Sequence, residues 1–355
     1  MTRLPGKRQS LYLLALAELF AMALWFSASA VIPQLTLAWN LTGAEKSWLT
    51  MSVQIGFVVG ALASAVLNLA DRVSARVLFT VSAFLGSSFN ALIALSVNDI
   101  GPALILRFLT GISLAGVYPP GMKLMATWCK EDRGFGIGLL VGALTIGSAS
   151  PHLLNVIPEL TGSGTVPNWR LVLFLASALA IISAIISILF VREGPYLGKA
   201  AQFNWRLAGK AFSDKGVRLA NFGYLGHMWE LYAMWAWVPL FLLASYERAG
   251  LGTAAARLAG FSVIAVGGLG SLLAGKLADR LGRTRITMIS LVISGSIALV
   301  AGFFFNSPVF LTLLCLIWGF AVVADSAQFS TAVSELSDAR YVGTALSRIR
   351  ASCMV

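Results

Sequence analysis

Ten long apolar stretches run along the chain, and short polar connections separate them. A helix needs about 20 apolar residues to cross a hydrocarbon core of about 30 Å, and each stretch provides roughly that length. The stretches are continuously apolar, whereas the strands of a membrane barrel alternate between apolar and polar residues. The pattern therefore predicts an all-α membrane protein with about ten transmembrane helices. The predicted spans, numbered 1 to 10 in chain order, cover residues 10–37, 46–67, 76–96, 102–125, 135–157, 170–191, 218–244, 256–275, 285–304 and 309–332.

The positive charges concentrate in the connections on one side of these spans. If the N-terminus is cytoplasmic, 21 of the 26 lysine and arginine residues fall on the cytoplasmic side, four fall on the outer side, and Arg107 lies inside a span. Cytoplasmic loops of membrane proteins carry such an excess. We therefore expect a multi-pass protein of the plasma (inner) membrane with a cytoplasmic N-terminus. Span 1 contains Glu18 and continues past a run of small residues, so we interpret it as a retained helix and not as a cleaved signal peptide.

Composition agrees with membrane insertion and excludes several classes of function. Hydrophobic residues make up 58% of the chain and charged residues only 12%, and the mean hydropathy is +0.82. Soluble domains carry about 25% charged residues. The net charge of +11 is spread over short loops and forms no basic domain, so we expect no nucleic-acid partner. The three cysteines are far apart, and no metal-binding, nucleotide-binding or hydrolase motif occurs, so we expect no enzyme activity, cofactor or metal.

Two segments of the first half recur in the second half. Residues 18–25 (ELFAMALW) match residues 230–237 (ELYAMWAW) at an offset of 212. Residues 69–72 (LADR) match residues 277–280 at an offset of 208. Both comparisons place a span against the span six positions later, which indicates two parallel, pseudosymmetric helical bundles. We divide the chain into an N-terminal six-helix bundle (1–191), a basic cytoplasmic linker (192–217) and a C-terminal bundle (218–355).

The second repeat lies in a loop with a recognisable sequence. Residues 275–285 read GKLADRLGRTR and resemble the signature loop of the major facilitator superfamily. The stretch from Arg107 to Gly116 is similar to span 4 of that family. Span 5 of the family is rich in glycine and proline, as is the matching stretch here, at Gly138, Gly142, Gly147 and Pro151. The resemblance is nearest to the bacterial nitrate/nitrite and cyanate porters, and it implies 12 spans and secondary transport by alternating access.

The resemblance also assigns a role to the loops. In the family this loop holds the two halves together on the cytoplasmic side, and an aspartate beside a helix N-terminus is favoured by the helix dipole. By the repeat, Asp279 is expected to meet the start of span 5, and Asp71 the start of span 11. The residues assigned to the gating loops are Asp71, Arg72, Gly275, Asp279, Arg280, Gly282 and Arg283.

The end of the chain departs from the pattern of 12 spans. Span 11 is expected to begin near residues 338–346, but Arg348 and Arg350 follow, with few apolar residues after them. An arginine at the centre of a membrane helix costs about 2.5–3.5 kcal/mol on insertion. We therefore expect a truncated C-terminal bundle of four helices with an aberrant tail. An inactive fragment that inserts without transporting is the alternative to a working transporter.

Ionisable residues inside the spans are candidates for function, because charge is costly near the bilayer centre. Glu18 and Glu230 are repeat equivalents near mid-membrane, and they are expected to flank a central cavity. They are interpreted either as proton or cation sites or as packing residues that bond across helices. His227 lies three residues before Glu230 on one helical face, and such a pair suits proton relay. A structural histidine is the alternative.

Further candidates come from spans 1, 4, 7 and 10. Arg107 matches a family arginine implicated in substrate or proton handling, and pairing with a nearby carboxylate is the alternative. Asp325, followed by Gln328, either faces the cavity or caps the cytoplasmic end of its helix. Three aromatic residues are expected to line the cavity, with lipid contact as the alternative for each. They are Trp25, Tyr118 and Trp237.

Together these features predict a secondary active transporter that moves a small polar solute by alternating access, with protons as the coupling ion. Its expected partners are the solute, the lipid bilayer and protons, and the chain is expected to be a monomer. The charge of the solute stays open, because Arg107 favours an anion whereas Glu18 and Glu230 favour a cation or a proton.

Overall fold

The computed structural model describes residues 6–67, 69–129, 133–156, 168–196, 215–326 and 328–329, and it leaves the side chains of Ala70, Asp71, Arg133, Val217 and Asp279 undescribed. Every regular element within these residues is a helix, so the all-α prediction is confirmed. In the described part of the chain, 7 helical stretches are long and apolar enough to cross a membrane by length and composition.

Each predicted span corresponds to one helix or to two consecutive helices. The first half contains α1 (Lys7–Met22), α2 (Ile32–Trp39), α3 (Gly43–Val66), α4 (Leu69–Arg72), α5 (Ala75–Ser96), α6 (Ile100–Leu114), α7 (Tyr118–Trp128), α8 (Arg133–Leu154) and α9 (Trp169–Phe190). The second half contains α10 (Lys215–Arg248), α11 (Thr253–Leu281), α12 (Arg283–Val300) and α13 (Pro308–Ala324). There are also two short 3-10 helices: Ser29–Val31 lies just before α2, and Ala301–Phe304 lies just after α12.

Span 1 is broken in the middle. α1 ends at Met22, a run of turns and a 3-10 helix follows, and α2 begins at Ile32. Pro33 lies in the first turn of α2, where the N–H that proline lacks would have no helical partner. The repeat-related helix α10 runs without a break over 34 residues, although it contains Pro239. The two equivalent spans therefore have different backbones.

Two close helix crossings repeat the pseudosymmetry in the packing. α3 crosses α6 where a Cβ atom on Gly111 would overlap the carbonyl oxygen of Val53. α11 crosses α13 where a Cβ atom on Gly319 would overlap the carbonyl oxygen of Val263. Gly111 and Gly319 are 208 residues apart, which is also the offset of the repeated loop. Small residues let membrane helices approach this closely, so the sequence repeat is also a repeat in tertiary packing.

The two halves meet along α8 and α11. A Cβ atom on Gly142 would lie 3.3 Å from the carbonyl oxygen of Gly268, and one on Gly138 would lie 3.5 Å from that of Ser271. Small residues on both helices therefore bring the two backbones together. The same helices also come close at Gly134 and Gly275, and at Asn155 and Arg257.

Candidate functional site

A cavity lies between the two halves, beside the seam of α8 and α11. About 690 Å³ of space not filled by atoms lies within the cavity and at its opening to solvent. α8 and α10 supply most of the walls, and the lining consists of aromatic, aliphatic and hydroxyl side chains without a charged group among the described residues. The lining residues are Trp25, Phe57, Tyr118, Val141, Leu144, Thr145, Ser148, Tyr224, Met228, Leu231, Tyr232, Trp235, Val323 and Ser326.

Aromatic rings from opposite halves meet at this cavity. Trp25, in the break of span 1, stacks on Tyr232 of α10 with ring centroids 5.7 Å apart and planes 18° from parallel. The neighbouring Phe26 meets Trp235 edge to face at 6.1 Å. Both separations are within the range that aromatic pairs prefer. The rings therefore join the broken span of one half to the unbroken helix of the other.

Arg107 sets the position of Trp25 without lining the cavity. The guanidinium of Arg107 is fully buried and donates to the carbonyl oxygen of Leu24 at 2.9 Å, to that of Trp25, and to the hydroxyl of Ser27 at 3.2 Å. It also donates to the carbonyl oxygen of Leu49 at 3.4 Å. Carbonyls at the end of a helix lack intrahelical donors and favour a cation. No carboxylate is among the described partners of this arginine, so Arg107 is a positioning residue for the broken segment.

Two indole N–H groups beside the cavity lack an acceptor among the described residues. Trp25 and Trp235 are only 3% and 1% exposed, and the Nε1 atom of each is buried without a hydrogen bond to a described group. Leaving a buried donor without an acceptor costs about 1–3 kcal/mol. Such groups in a native structure require an explanation, and an acceptor brought by a bound molecule is one.

A buried polar cluster adjoins the cavity where α10 meets the end of α13. The Nδ1 atom of His227 lies 2.9 Å from a carboxylate oxygen of Asp325, and its Nε2 atom lies 2.7 Å from the hydroxyl of Ser326. The ring of Tyr224 stacks on the imidazole at 5.9 Å, and that of Phe329 lies at 5.5 Å. Tyr224 and Ser326 both line the cavity. The cluster therefore contacts the cavity wall through two side chains.

The carboxylate beside His227 is Asp325, and not Glu230 as the sequence predicted. Glu230 accepts hydrogen bonds from the indole of Trp318 at 3.1 Å and from the hydroxyl of Ser294 at 3.2 Å. Both donors lie in the second half, on α13 and α12. His227 is therefore paired with Asp325, which follows α13, and not with Glu230 of its own helix. The two side chains of α10 contact different residues of the neighbouring helices.

The two repeat-related glutamates do not flank the cavity, which corrects the expectation from sequence. Glu18 is fully buried in the first half, where its carboxylate lies against Gly121 of α7. Glu230 lies against α12 and α13 of the second half. Neither residue belongs to the cavity lining. Each glutamate therefore lies within its own half, away from the cavity lining.

Trp25 and Trp237 differ in environment although the repeat aligns them. Trp25 is 3% exposed and lines the cavity, whereas Trp237 is 55% exposed and does not. Seven residues make about two helical turns, so Trp237 stays on the side of Glu230 in the unbroken α10. The break after Met22 turns Trp25 away from that side. Tyr118, Tyr232 and Trp235 also line the cavity.

A family model for the Major Facilitator Superfamily matches residues 14–354. The chain belongs to the major facilitator superfamily. This family consists of membrane transporters and not of enzymes, which agrees with the apolar helices and the absence of enzyme motifs in the sequence.

Two relatives of this facilitator have names that refer to different kinds of compound. The multidrug resistance protein MdtG of Salmonella typhi is 28% identical over 285 residues, which cover 78% of this chain and 68% of MdtG. NiaP of Bacillus subtilis, a protein named for niacin and nicotinamide transport, is 25% identical over 223 residues, which cover 61% of this chain and 53% of NiaP. These relatives do not support the finer resemblance to nitrate/nitrite and cyanate porters.

Two solved transporter structures share this facilitator's fold. The proton:xylose symporter XylE superposes with a TM-score of 0.71 at 17% identity. The match covers 98% of this chain and 87% of the XylE chain. The nucleoside transporter NupG superposes with a TM-score of 0.70 at 15% identity. The match covers 97% of this chain and 89% of the NupG chain. At such low identity the likeness shows the fold alone.

The signature loop of this facilitator forms the turn between α11 and α12. Gly282 has a φ of 89°, which is readily available to glycine because it has no Cβ. The guanidinium of Arg283 donates to the side-chain carbonyl of Gln328 at 3.1 Å and ties the start of α12 to the chain beyond α13. A Cβ atom on Gly275 would lie 3.5 Å from the carbonyl oxygen of Gly134, at the start of span 5. The loop therefore lies next to the first half.

The remaining loop assignments stay predictions. Arg72 and Arg280 are exposed, while the side chains of Asp71 and Asp279 lie outside the described residues. The same holds for the expected start of span 11 and for the tail that departs from the twelve-span pattern, since both fall within residues 330–355.

Proposed function

We propose that this facilitator is a secondary active transporter of a small, uncharged aromatic solute that bears a hydrogen-bond acceptor. The observation that carries the proposal is the cavity between the halves, whose described lining combines stacked aromatic rings with hydroxyl groups and has no charge. We further propose that residues 1–191 and 218–355 move against each other to expose this cavity alternately to the two sides of the membrane.

The absence of charge from the described lining favours a neutral solute. Moving an ion out of water is costly unless an opposite charge or several hydrogen bonds compensate for it. Arg107 and Glu18, the two buried charged side chains that the sequence singled out in the first half, are not among the lining residues of the cavity. Arg107 favoured an anionic solute and Glu18 a cation or a proton, and neither indication applies to the lining of the cavity.

The aromatic lining favours a flat ring with a carbonyl group. A solute ring in the cavity would meet aromatic side chains, because Trp25 and Tyr232 are both in its lining. The indole N–H groups of Trp25 and Trp235 would donate to a carbonyl acceptor of the solute. Nicotinamide, named with one relative, has both features.

Several finer assignments belong to the same proposal. We propose that the protein is a monomer in the inner membrane with a cytoplasmic N-terminus. Its transport is proposed to be driven by the proton gradient. The loops that carry Asp71 and Asp279 are proposed to join the halves on the cytoplasmic side.

Matched amides and acids test the class of solute. We expect purified protein to bind radiolabelled nicotinamide or benzamide at least about tenfold more tightly than nicotinate or benzoate, because about 1.4 kcal/mol of carboxylate desolvation already gives that ratio. Proteoliposomes should then accumulate the bound amide only when a pH gradient is imposed. Preference for the acids would contradict the neutral-solute proposal, and binding without any flux would instead support the alternative of an inactive fragment.

The two repeat-related tryptophans provide a matched pair of variants. We expect Trp25→Phe to weaken amide binding by about tenfold, because it removes one hydrogen bond worth about 0.5–1.5 kcal/mol and disturbs the stack. Trp237→Phe should leave binding unchanged, since that ring is 55% exposed and lies outside the cavity. Equilibrium binding measures both, and equal losses in the two variants would show that the cavity is not the binding site.

A further inference from the structure

We infer that His227, Asp325 and Ser326 form a proton-binding site that strengthens solute binding when it takes up a proton. The inference rests on the proposed function, because it assigns the coupling of that transporter to one cluster at its cavity. The three side chains are at most 7% exposed, and they join α10 to the end of α13. No motif in the sequence connects them, since His227 and Ser326 are 99 residues apart.

We assign the proton of the neutral imidazole to Nδ1 on electrostatic grounds. This atom lies 2.9 Å from a carboxylate oxygen of Asp325, in an ion-pair contact that is not aligned as a hydrogen bond, and an electron pair on Nδ1 would be repelled by the carboxylate. Nε2 then has a free electron pair and accepts the hydroxyl hydrogen of Ser326 at 2.7 Å. In this state the serine hydroxyl donates to histidine and is not available as a donor to the cavity.

Protonation reverses the role of the serine. The incoming proton forms an N–H bond at Nε2, and both ring nitrogens of the imidazolium are donors. Ser326 must then accept from Nε2, so its own hydroxyl hydrogen rotates away. Because Ser326 lines the cavity, that hydrogen becomes available to an acceptor on the solute. A proton bound outside the cavity thus adds a hydrogen-bond donor to the cavity wall.

Other charged groups near the cluster have their own partners or face solvent. On α10, Glu230 is bonded to Trp318 and Ser294, and Lys215 and Arg218 are exposed. On α12, Arg283 donates to Gln328.

Among the described residues, Asp325 is the charged group in contact with the imidazole of His227. On α11, Lys276 and Arg280 are exposed. The stretch of α8 that lines the cavity, from Val141 to Ser148, has no charged residue. The aromatic rings of Tyr224 and Phe329 cover the imidazole.

Coupling between proton and solute is reciprocal. If protonation strengthens solute binding by some factor, solute binding strengthens proton uptake by the same factor. One added hydrogen bond corresponds to about a tenfold change in affinity. The sign is that of a symporter, because proton and solute favour each other's binding.

The small number of histidines makes the site directly observable. The sequence has only 2 histidines, so His152→Gln leaves His227 as a single reporter in protein purified without a polyhistidine tag. We expect the ¹⁵N signals of labelled His227 to report Nδ1–H at high pH and a doubly protonated ring at low pH. Asp325→Asn should shift this titration. If the ¹⁵N signals of His227 do not change with pH, the inference is wrong, whether or not any solute binds.

Binding of nicotinamide or benzamide tests the coupling separately. In the wild type and in His152→Gln, affinity should rise about tenfold as His227 becomes protonated. Ser326→Ala should keep the ¹⁵N titration but lose the pH dependence of binding, and Ser326→Thr, which restores a hydroxyl, should regain it. An undiminished pH dependence in Ser326→Ala or His227→Gln overturns the inference. If His227 titrates while no amide binds at any pH, the proposed solute class fails and the proton site still holds.

Discussion

Alanine at Gly319 is expected to destabilise the protein by about 2 kcal/mol or more, and alanine at Gly111 by a similar amount. At both positions the new methyl group would overlap a backbone carbonyl oxygen of the crossing helix, which cannot move away by changing rotamer. Overpacking of this kind costs about 1–3 kcal/mol and occasionally more. Alanine is favoured over glycine in a helix by about 1 kcal/mol, so the overlap must exceed this gain for the prediction to hold.

Gly295→Ala is the matched control, because it makes the same change in a membrane helix without the overlap. Nothing lies within 4 Å of a Cβ atom at Gly295, so we expect stability to stay the same or to rise by up to about 1 kcal/mol. Unfolding in detergent, followed by intrinsic fluorescence, measures all three variants. Equal stability of Gly319→Ala and Gly295→Ala would mean that α11 and α13 are not packed as closely as described.

Leucine at Arg107 is expected to destabilise the protein by about 3 kcal/mol or more and to weaken amide binding. Removing a buried charge gains about 2.5–3.5 kcal/mol in a membrane. Against this, the arginine donates to Leu24, Trp25, Ser27 and Leu49, and hydrogen bonds from a charged group contribute about 1.5–3 kcal/mol each. The lost bonds outweigh the gain, and the segment that carries Trp25 would lose its support.

Two further variants separate the charge of Arg107 from its geometry. Arg107→Lys keeps the charge but lacks the planar fork of donors, so we expect an intermediate loss of stability. Arg170→Leu removes another arginine that donates to a backbone carbonyl, at Ala94, and to Asn98 at 2.6 Å, but at an exposed helix end. Its loss is expected to be only about 1 kcal/mol. Similar unfolding midpoints for the leucine variants at both arginines would contradict the supporting role of Arg107.

The membrane helices and their repeat are predictable from sequence, because their causes are local. A continuous apolar stretch must hydrogen-bond its own backbone in lipid, and a helix is the structure that does so within one segment. The repeated ELxAMxxW and LADR segments likewise identify equivalent spans without reference to any contact. The break after Met22 has a weaker local sign, since Pro33 marks the start of α2 but not the end of α1.

The members of the candidate site could not be selected in the same way. In a lipid environment the outer surface of a helix is as apolar as its packed surface, so composition does not distinguish Trp25, which lines the cavity, from Trp237, which is 55% exposed. The partner of His227 lies on α13 and not one turn away on α10. Such a pairing depends on how two distant helices pack.

The sequence by itself determined the helical class, the ten apolar stretches, the repeat and the family, because each of these follows from residue type and spacing along the chain. The tertiary structure decided which buried charges support the fold and which polar groups meet the cavity. Arg107 became a support for the broken span, the glutamates separated into their own halves, and His227 joined Asp325 and Ser326. The physical reason is that burial and pairing in a membrane protein depend on helix rotation and backbone breaks, and neither changes the hydrophobic pattern by which the helices are recognised.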